Sequence, residues 1–345
     1  MRILIIRLSA IGDIVMASGL IPALRQRWPD AHIAWLAEPA GATLLEANPR
    51  LDEVIRLPRP QWRHLRSQHR YGELASALRG MGRRLREGRY DLVLDTQGLL
   101  KSGLWAWLSR APRRIGVGSR EGSQRLMTEV LVLSRDDPRI GSEYRQLAEH
   151  LGAAGDRFPM DLALAAPDHE AARTALAGHG VEGGYAVLCP FTTRPQKHWF
   201  DDRWRELCGE LYRRLGLRSV ILGGPGDREH AAAIAAGADV PLVSVAGDLS
   251  LRESAAAISG ARVLVGVDTG LTHMGTALGV PTVALFGSTR PYLHTDSPAT
   301  RVVYEPLWCS PCRRNPVCGG EFSCMRLHRP RGVMAAIEQV LESVA

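Results

Sequence analysis

Lysine is almost missing from this chain. Of 43 basic residues among 345, only Lys101 and Lys197 are lysine, and every other one is arginine. Such a skew reads as a general preference for arginine, so the two survivors flag positions where a compact, flexible ammonium is wanted. Long apolar runs are missing too. None approaches the ~20 residues of a membrane span. The opening Met1–Arg7 is too short for a secretory h-region and has no small-residue cleavage site. It reads as a buried first strand, and the protein is expected to be cytoplasmic. Diagnostic motifs are wanting as well. Without G-x-x-x-x-G-K-[ST] a P-loop kinase or ATPase is excluded. The turn after the first strand, Leu8–Ile14, is not a G-x-G-x-x-G fingerprint, so a nicotinamide cofactor is disfavoured. Without any Asp-x-Asp there is no ready clamp for a metal-bound diphosphate.

What is present describes a soluble globular protein, with 45% hydrophobic and 23% charged residues. A chain of 345 residues is too long for one ordinary core and comfortable for two domains. The formal charge of +7 favours an anionic partner. Basicity is concentrated: between Arg56 and Arg89 there are ten arginines and only two acids, Glu73 and Glu87. This run is either a solvated helix face or a surface for an anionic lipid headgroup or acidic sugar. Nucleic acid is disfavoured, because the run has no interleaved aromatic platforms and matches no DNA-reading motif.

Short β-rich runs alternate with helical stretches. Ile3–Leu8, Ile33–Leu36, Glu53–Leu57 and Leu92–Asp95 read as strands of a parallel sheet covered on both faces. Helices are expected over Ile14–Arg27, Pro39–Ala47, Tyr71–Arg86, Leu99–Ser109 and Glu143–Gly152. A linker falls at 155–168, and the pattern then restarts. Its strands are expected at Tyr185–Cys189, Ser219–Leu222, Leu242–Val245, Val263–Val267 and Thr282–Phe286. Its helices fall near Glu170–Ala177, Arg203–Leu215, Arg228–Ala236, Leu251–Ser259 and Leu271–Leu278. The fold class is therefore α/β, with two doubly wound Rossmann-like domains at 1–160 and 161–330 and a terminal helix in 331–345. In such sheets ligands bind beyond the carboxyl ends of the strands.

Three constellations stand at such ends. Ser9-Ala10-Ile11-Gly12-Asp13 follows the first strand, where helix amides can face an anion. Asp13 there is either an N-cap, worth about 1 kcal/mol, or a base for a hydroxyl proton. Thr192-Thr193-Arg194-Pro195-Gln196-Lys197-His198-Trp199 follows the first strand of the second half. Its hydroxyls and Lys197 suit a developing diphosphate, against the alternative of an ordinary polar loop. Asp268-Thr269-Gly270 turns a buried strand into a helix carrying His273, where Thr269 and Gly270 can present amides to a pyrophosphate. The turn Gly223-Gly224-Pro225-Gly226-Asp227 adds a carboxylate suited to ribose hydroxyls. Cys309, Cys312, Cys318 and Cys324 are clustered, which in a cytosolic chain suggests zinc or iron–sulfur before a disulfide. The spacing lacks the second C-x2-C of a zinc ribbon, and buried thiols in a connection are the alternative.

At these residues the chain resembles glycosyltransferase family 9, the ADP-heptose:lipopolysaccharide heptosyltransferases, and most of all its type I branch. The resemblance rests on Ser9–Asp13, Gln97-Gly98-Leu99-Leu100-Lys101-Ser102, Thr192–Trp199 and Val267-Asp268-Thr269-Gly270-Leu271-Thr272-His273, and runs nearly end to end. It implies a GT-B fold of two Rossmann-like domains facing a central cleft, acceptor on the first and ADP-heptose on the second. It implies Asp13 as general base and Thr192, Thr193, Lys197, Asp268, Thr269, Gly270 and His273 at the donor. Asp227 stands where glutamate is usual, and Leu249 where an adenine-side methionine is usual. Ser9, Arg63, Lys101 and Arg120 would meet an anionic Kdo–lipid A or inner-core acceptor. The cysteines look more like those of the type II branch. The expected reaction is an inverting, metal-independent transfer with no cofactor, performed peripherally at the cytoplasmic face of the inner membrane. Rivals are another transferase of the same family, a nucleotide-sugar epimerase and a non-catalytic lipid A-core binder.

Overall fold

The computed structural model describes residues 1–134, 136–312 and 314–344. The chain forms two compact units. The first holds Met1–Asp137 and Gly141–Ala163; the second holds Pro138–Ile140 and everything from Leu164 on. The short Pro138–Ile140 segment joins the second unit through Leu293 and His294, whose backbone bonds reach Pro138 and Ile140.

Six strands build the first unit: β1 (Arg2–Ile6), β2 (His32–Ala37), β3 (Glu53–Arg56), β4 (Leu92–Asp95), β5 (Arg113–Val117) and β6 (Glu129–Leu131). All pair in parallel, in the order β3-β2-β1-β4-β5-β6. The apolar run of β1 explains its central place. Ile3 and Ile5 enter one core layer, Leu4 and Ile6 the opposite one, and β2 divides Ile33 and Trp35 from Ala34 and Leu36 in the same way. Burying each such side chain contributes about 1.5–3 kcal/mol, so a slip by one residue would be costly.

The second unit repeats the design with β7 (Tyr185–Cys189), β8 (Arg218–Ile221), β9 (Leu242–Ser244), β10 (Val263–Val267), β11 (Thr282–Phe286) and β12 (Thr300–Tyr304). Its order is β12-β11-β10-β7-β8-β9, again parallel. The terminal helix Pro330–Glu342 contributes Val333, Met334, Ile337 and Val340 to this unit's core. In both sheets the chain reverses its winding direction beside the first strand, between β1 and β4 and between β7 and β10. These are the two topological switch points, where ligands bind in open α/β sheets.

Several elements depart from the sequence expectation. The stretch expected as one helix over Ile14–Arg27 is two, Ile11–Ala17 and Leu20–Arg27. A Cβ at Gly19, between them, would stand 2.5 Å from the Phe158 ring, so the break seats that side chain. Strand β1 stops at Ile6 rather than Leu8, because the chain must turn there to bring Asp13 onto the following helix. Strands β5, β6 and β12, and the arginine-rich helix Arg59–Ser67, were not expected from the sequence. Strands β6 and β12 lie at sheet edges with partly exposed side chains, and the helix buries no residue fully.

Candidate active site

The first switch point gathers around Arg7, which follows the apolar β1 directly. Its side chain is buried, stacks over Tyr144 at 5.7 Å and donates through Nη1 to the Thr96 carbonyl. Its Nη2 lies 2.5 Å from Asp13 Oδ2, and Nη1 lies 3.9 Å from Glu143. Burial alone would lower the Arg7 pKa. Tyr144, Asp13 and Glu143 outweigh it and raise the value, so the guanidinium is a fixed cation. Asp13 is not the N-cap. Ala10 holds that place, Asp13 is the third helical residue, and the Ala10 N–H donates to its Oδ2 at 3.2 Å. Both bonds use Oδ2. Among the described residues nothing donates to Oδ1, and the side chain is about a third exposed. The arrangement leaves one carboxylate oxygen oriented and open to a hydroxyl.

Beyond β4 the chain makes a tight turn whose carboxylate is Asp95. This fully buried group accepts from the Gln97 and Gly98 N–H groups and from the Ser102 hydroxyl. Burial pushes its pKa up to about 6, against those hydrogen bonds and the Arg7 charge. Gly98 has φ +63°, and a Cβ there would lie 2.4 Å from the Val117 carbonyl oxygen, so glycine is required. The Arg120 N–H donates to the Gly98 carbonyl at 2.9 Å, which ties the loop after β5 to this turn. Lys101 opens the following helix, half-buried. Its pKa is lowered by burial and by the nearby Arg59 and Arg7 charges. Asp13, Lys101 and Arg120 are thus brought to neighbouring strand ends, with Ser9 half-buried in the first loop. Arg63 is exposed on Arg59–Ser67, and no bond ties it to this group.

The second switch point is built on Asp268, just past β10. Lys197 Nζ lies 2.6 Å from its Oδ2 and donates to its backbone carbonyl at 3.3 Å. The Thr289 hydroxyl donates to Oδ2 at 2.6 Å, and His273 Nε2 stands 3.4 Å from Oδ1. The other His273 nitrogen meets the Tyr292 hydroxyl at 3.0 Å. Burial would raise the Asp268 pKa. The hydrogen bond and charge of His273 and the Lys197 ammonium outweigh it, holding the carboxyl well below its usual range. Thr269 is the N-cap of Gly270–Ala277, yet its hydroxyl caps nothing. That hydroxyl and the first-turn amides are available to an anion. Gly266 lets this helix approach β10, since a Cβ there would meet Thr272 Oγ1 at 2.1 Å.

Thr192 and Thr193 stand in the loop after β7, whose fold is fixed by a 2.8 Å bond between His198 Nε2 and the Thr192 carbonyl. Asp227 sits at the end of β8, where its Oδ2 accepts from the Gly224 N–H at 2.8 Å. The Gly247 N–H donates to the Gly223 carbonyl, joining that loop to the one after β9 that carries half-buried Leu249. The donor candidates therefore occupy four adjacent strand ends, β10, β7, β8 and β9. The cysteines are different. Cys309, Cys312 and Cys318 are half-buried and Cys324 buried, all as free thiols. Among the described residues no group of three or more His, Cys, Asp or Glu side chains is placed to hold a metal ion.

Arg7, Asp95, Thr289 and Tyr292 were not singled out from the sequence. Only Arg7 carried a signal, as a charge ending a buried strand, which must find a partner.

Known proteins resemble this chain in sequence and in fold. The family model described as glycosyltransferase family 9 (heptosyltransferase) matches residues 78–318. Lipopolysaccharide heptosyltransferase 1 of Pseudomonas aeruginosa is 31% identical over 294 residues, which is 84% of this chain and 80% of that protein. The crystal structure of a family 9 glycosyltransferase from Veillonella parvula superposes with a TM-score of 0.80 at 22% identity, covering 99% of this chain and 97% of that one. E. coli heptosyltransferase WaaC with ADP-2-deoxy-2-fluoro heptose gives 0.71 at 25% identity, covering 98% and 99%.

Proposed function

The chain belongs to glycosyltransferase family 9, and we propose that it moves heptose from ADP-L-glycero-D-manno-heptose to the Kdo region of the lipopolysaccharide inner core. Membership sets aside the epimerase and the non-catalytic binder. The observation that carries the donor half is the Lys197–Asp268–His273 network at the head of Gly270–Ala277. Asp268 uses part of the Lys197 ammonium and leaves a donor for a phosphate oxygen. The open helix amides and the Thr269 hydroxyl supply the rest. With no Asp-x-Asp in the sequence, these groups would offset the charge on departing ADP without a metal ion.

The reaction we infer is a single displacement with inversion. Asp13 Oδ1 takes the proton of an acceptor hydroxyl while that oxygen bonds to the anomeric carbon. The bond from that carbon to the diphosphate oxygen breaks, and ADP leaves with the electron pair. Thr192, Thr193, Asp227 and Leu249 would complete the donor site. Ser9, Lys101, Arg120 and the more distant Arg63 would meet the anionic acceptor, placing the enzyme at the cytoplasmic face of the inner membrane. Among the described residues no helix is long and apolar enough to cross it.

The test is ADP release from ADP-heptose with Kdo2-lipid A, with a heptosylated inner core, and with no acceptor. Release only with Kdo2-lipid A is expected. Release only with the heptosylated core would move the chain to the type II reaction. Full turnover by Asp13→Ala would end the base assignment, and loss of activity in chelator would end the metal-free one.

A further inference from the structure

The helix Leu100–Leu108, Leu-Lys-Ser-Gly-Leu-Trp-Ala-Trp-Leu, is apolar on every side except at Lys101 and Ser102. A helix of that composition belongs in a core. One side does lie there: Ser102, Gly103, Trp105 and Ala106 are buried. The other does not. Leu100 is 43% exposed, Leu104 42% and Trp107 51%, at positions i, i+4 and i+7 of a single stripe. A helix face open to water ordinarily carries polar residues, so this stripe costs solubility and calls for a cover.

The neighbouring helices define what the cover would be. Trp62 of Arg59–Ser67 packs on Trp105 with ring centroids 5.5 Å apart. In Tyr71–Glu87, a Cβ at Gly82 would stand 3.7 Å from Leu108. These two helices and the turn after them hold exposed Arg63, Arg66, Arg79, Arg83, Arg86 and Arg89, none with an acidic partner within 4 Å among the described residues. The remaining arginines of the run are paired: Arg56 with Glu46, Arg59 with Glu38, Arg70 with Glu73 and Arg84 with Glu53. An apolar stripe in a helix layer that also carries unpaired arginines is the make-up of an interfacial membrane surface. Leucine and tryptophan enter the acyl boundary while guanidinium groups meet anionic headgroups. A second copy is a poorer cover, because a two-fold contact would set the free arginines against each other.

We propose that the helix layer formed by Arg59–Ser67, Tyr71–Glu87 and Leu100–Leu108 docks on an anionic lipid bilayer through Leu100, Leu104 and Trp107. The proposal rests on the reading of the acceptor as lipid-linked and deepens it. Leu100 adjoins Lys101, whose charge is felt together with that of Arg7 at the Asp13 end of the sheet. The stripe therefore begins beside the residues assigned to the acceptor sugar. Acyl chains could stay in the bilayer while the sugar reaches Lys101.

Sedimentation with vesicles decides it. Wild-type protein is expected to bind vesicles of 30% phosphatidylglycerol in phosphatidylcholine, to ignore pure phosphatidylcholine, and to dissociate in high salt. Arg79→Glu/Arg83→Glu and Leu104→Ser/Trp107→Ser are each expected to weaken binding at least about tenfold. Both should keep the wild-type thermal transition and the wild-type kcat/KM on a deacylated, water-soluble acceptor, and lose about tenfold on acceptor embedded in vesicles. Wild-type binding by both variants, no binding by wild type, or a dimer that either variant dissolves would overturn the proposal. The charge-reversal pair lies wholly on exposed positions, so it answers even if the serine pair misfolds. Absence of ADP release with either acceptor would instead sink the functional reading and leave the vesicle result standing.

Discussion

Asp13 illustrates how a single carboxylate can serve two ends. Its Oδ2 is committed to Arg7 and the Ala10 N–H, which fixes the side chain, and in the proposed mechanism Oδ1 takes the acceptor proton. Arg7 is held in turn by Thr96 and Tyr144, and we assign it the positioning of Asp13. Arg7→Met is expected to lower kcat tenfold to hundredfold, short of the roughly 10²–10⁴ a general base contributes, with the donor KM unchanged. Arg7→Lys should restore part of the loss. Equal effects on kcat and KM, or no rescue by lysine, would mark Arg7 as merely structural. Asp13 and Asp268 stood out in the sequence as carboxylates just beyond apolar runs, and Lys197 as one of only two lysines. Their partners did not. Thr289 and Tyr292 lie 21 and 19 positions from the groups they hold, and Tyr144 reaches Arg7 from a helix late in the first unit. Such pairings come from tertiary packing, which no local pattern records.

Among elements, the strand–turn–helix unit from β4 to Leu100–Leu108 shows what the turn chemistry does. Asp95 holds the Gln97 and Gly98 amides and Ser102, which aims the helix that begins with Leu100 and Lys101. Its raised pKa has a consequence for stability. Between the unperturbed 3.8 and about 6 the native state keeps a proton that the unfolded chain has released. The stabilising contribution is therefore complete below 3.8 and is lost as pH rises through 6. Asp95→Asn keeps an acceptor for the amides and has no such titration. Relative to the variant, wild type is expected to lose up to roughly 3 kcal/mol across that window, measured as urea midpoints at a series of pH values. Parallel curves would show that Asp95 is not titrating there. The central strands of both sheets were readable from their apolar runs. Strands β5 and β12 were not, because arginine and glycine interrupt their few apolar residues.

At the scale of the molecule, two sheets with the same winding carry different chemistry at their switch points. The first offers an open carboxylate beside Lys101; the second offers an ammonium, a histidine and helix amides around a buried carboxylate. The repeated architecture was visible as two β-α-β series. The passage of Pro138–Ile140 into the second unit was not, because backbone bonds to Leu293 and His294, far along the chain, leave no local sequence pattern. The division makes the donor assignment testable without any acceptor. ADP should bind the second unit alone, and at a hundred times its Kd it should stabilise that unit by about 2.7 kcal/mol. In hydrogen exchange, protection is expected for residues 192–198, 223–227 and 268–273, while 9–14 and 97–102 exchange at their free rates. Asp268→Asn, which loosens Lys197 and His273 together, should remove most of that protection at the same ADP concentration. Protection centred on 9–14 would exchange the roles of the two units, because the diphosphate would then sit on the Asp13 loop and Asp13 could not be the base.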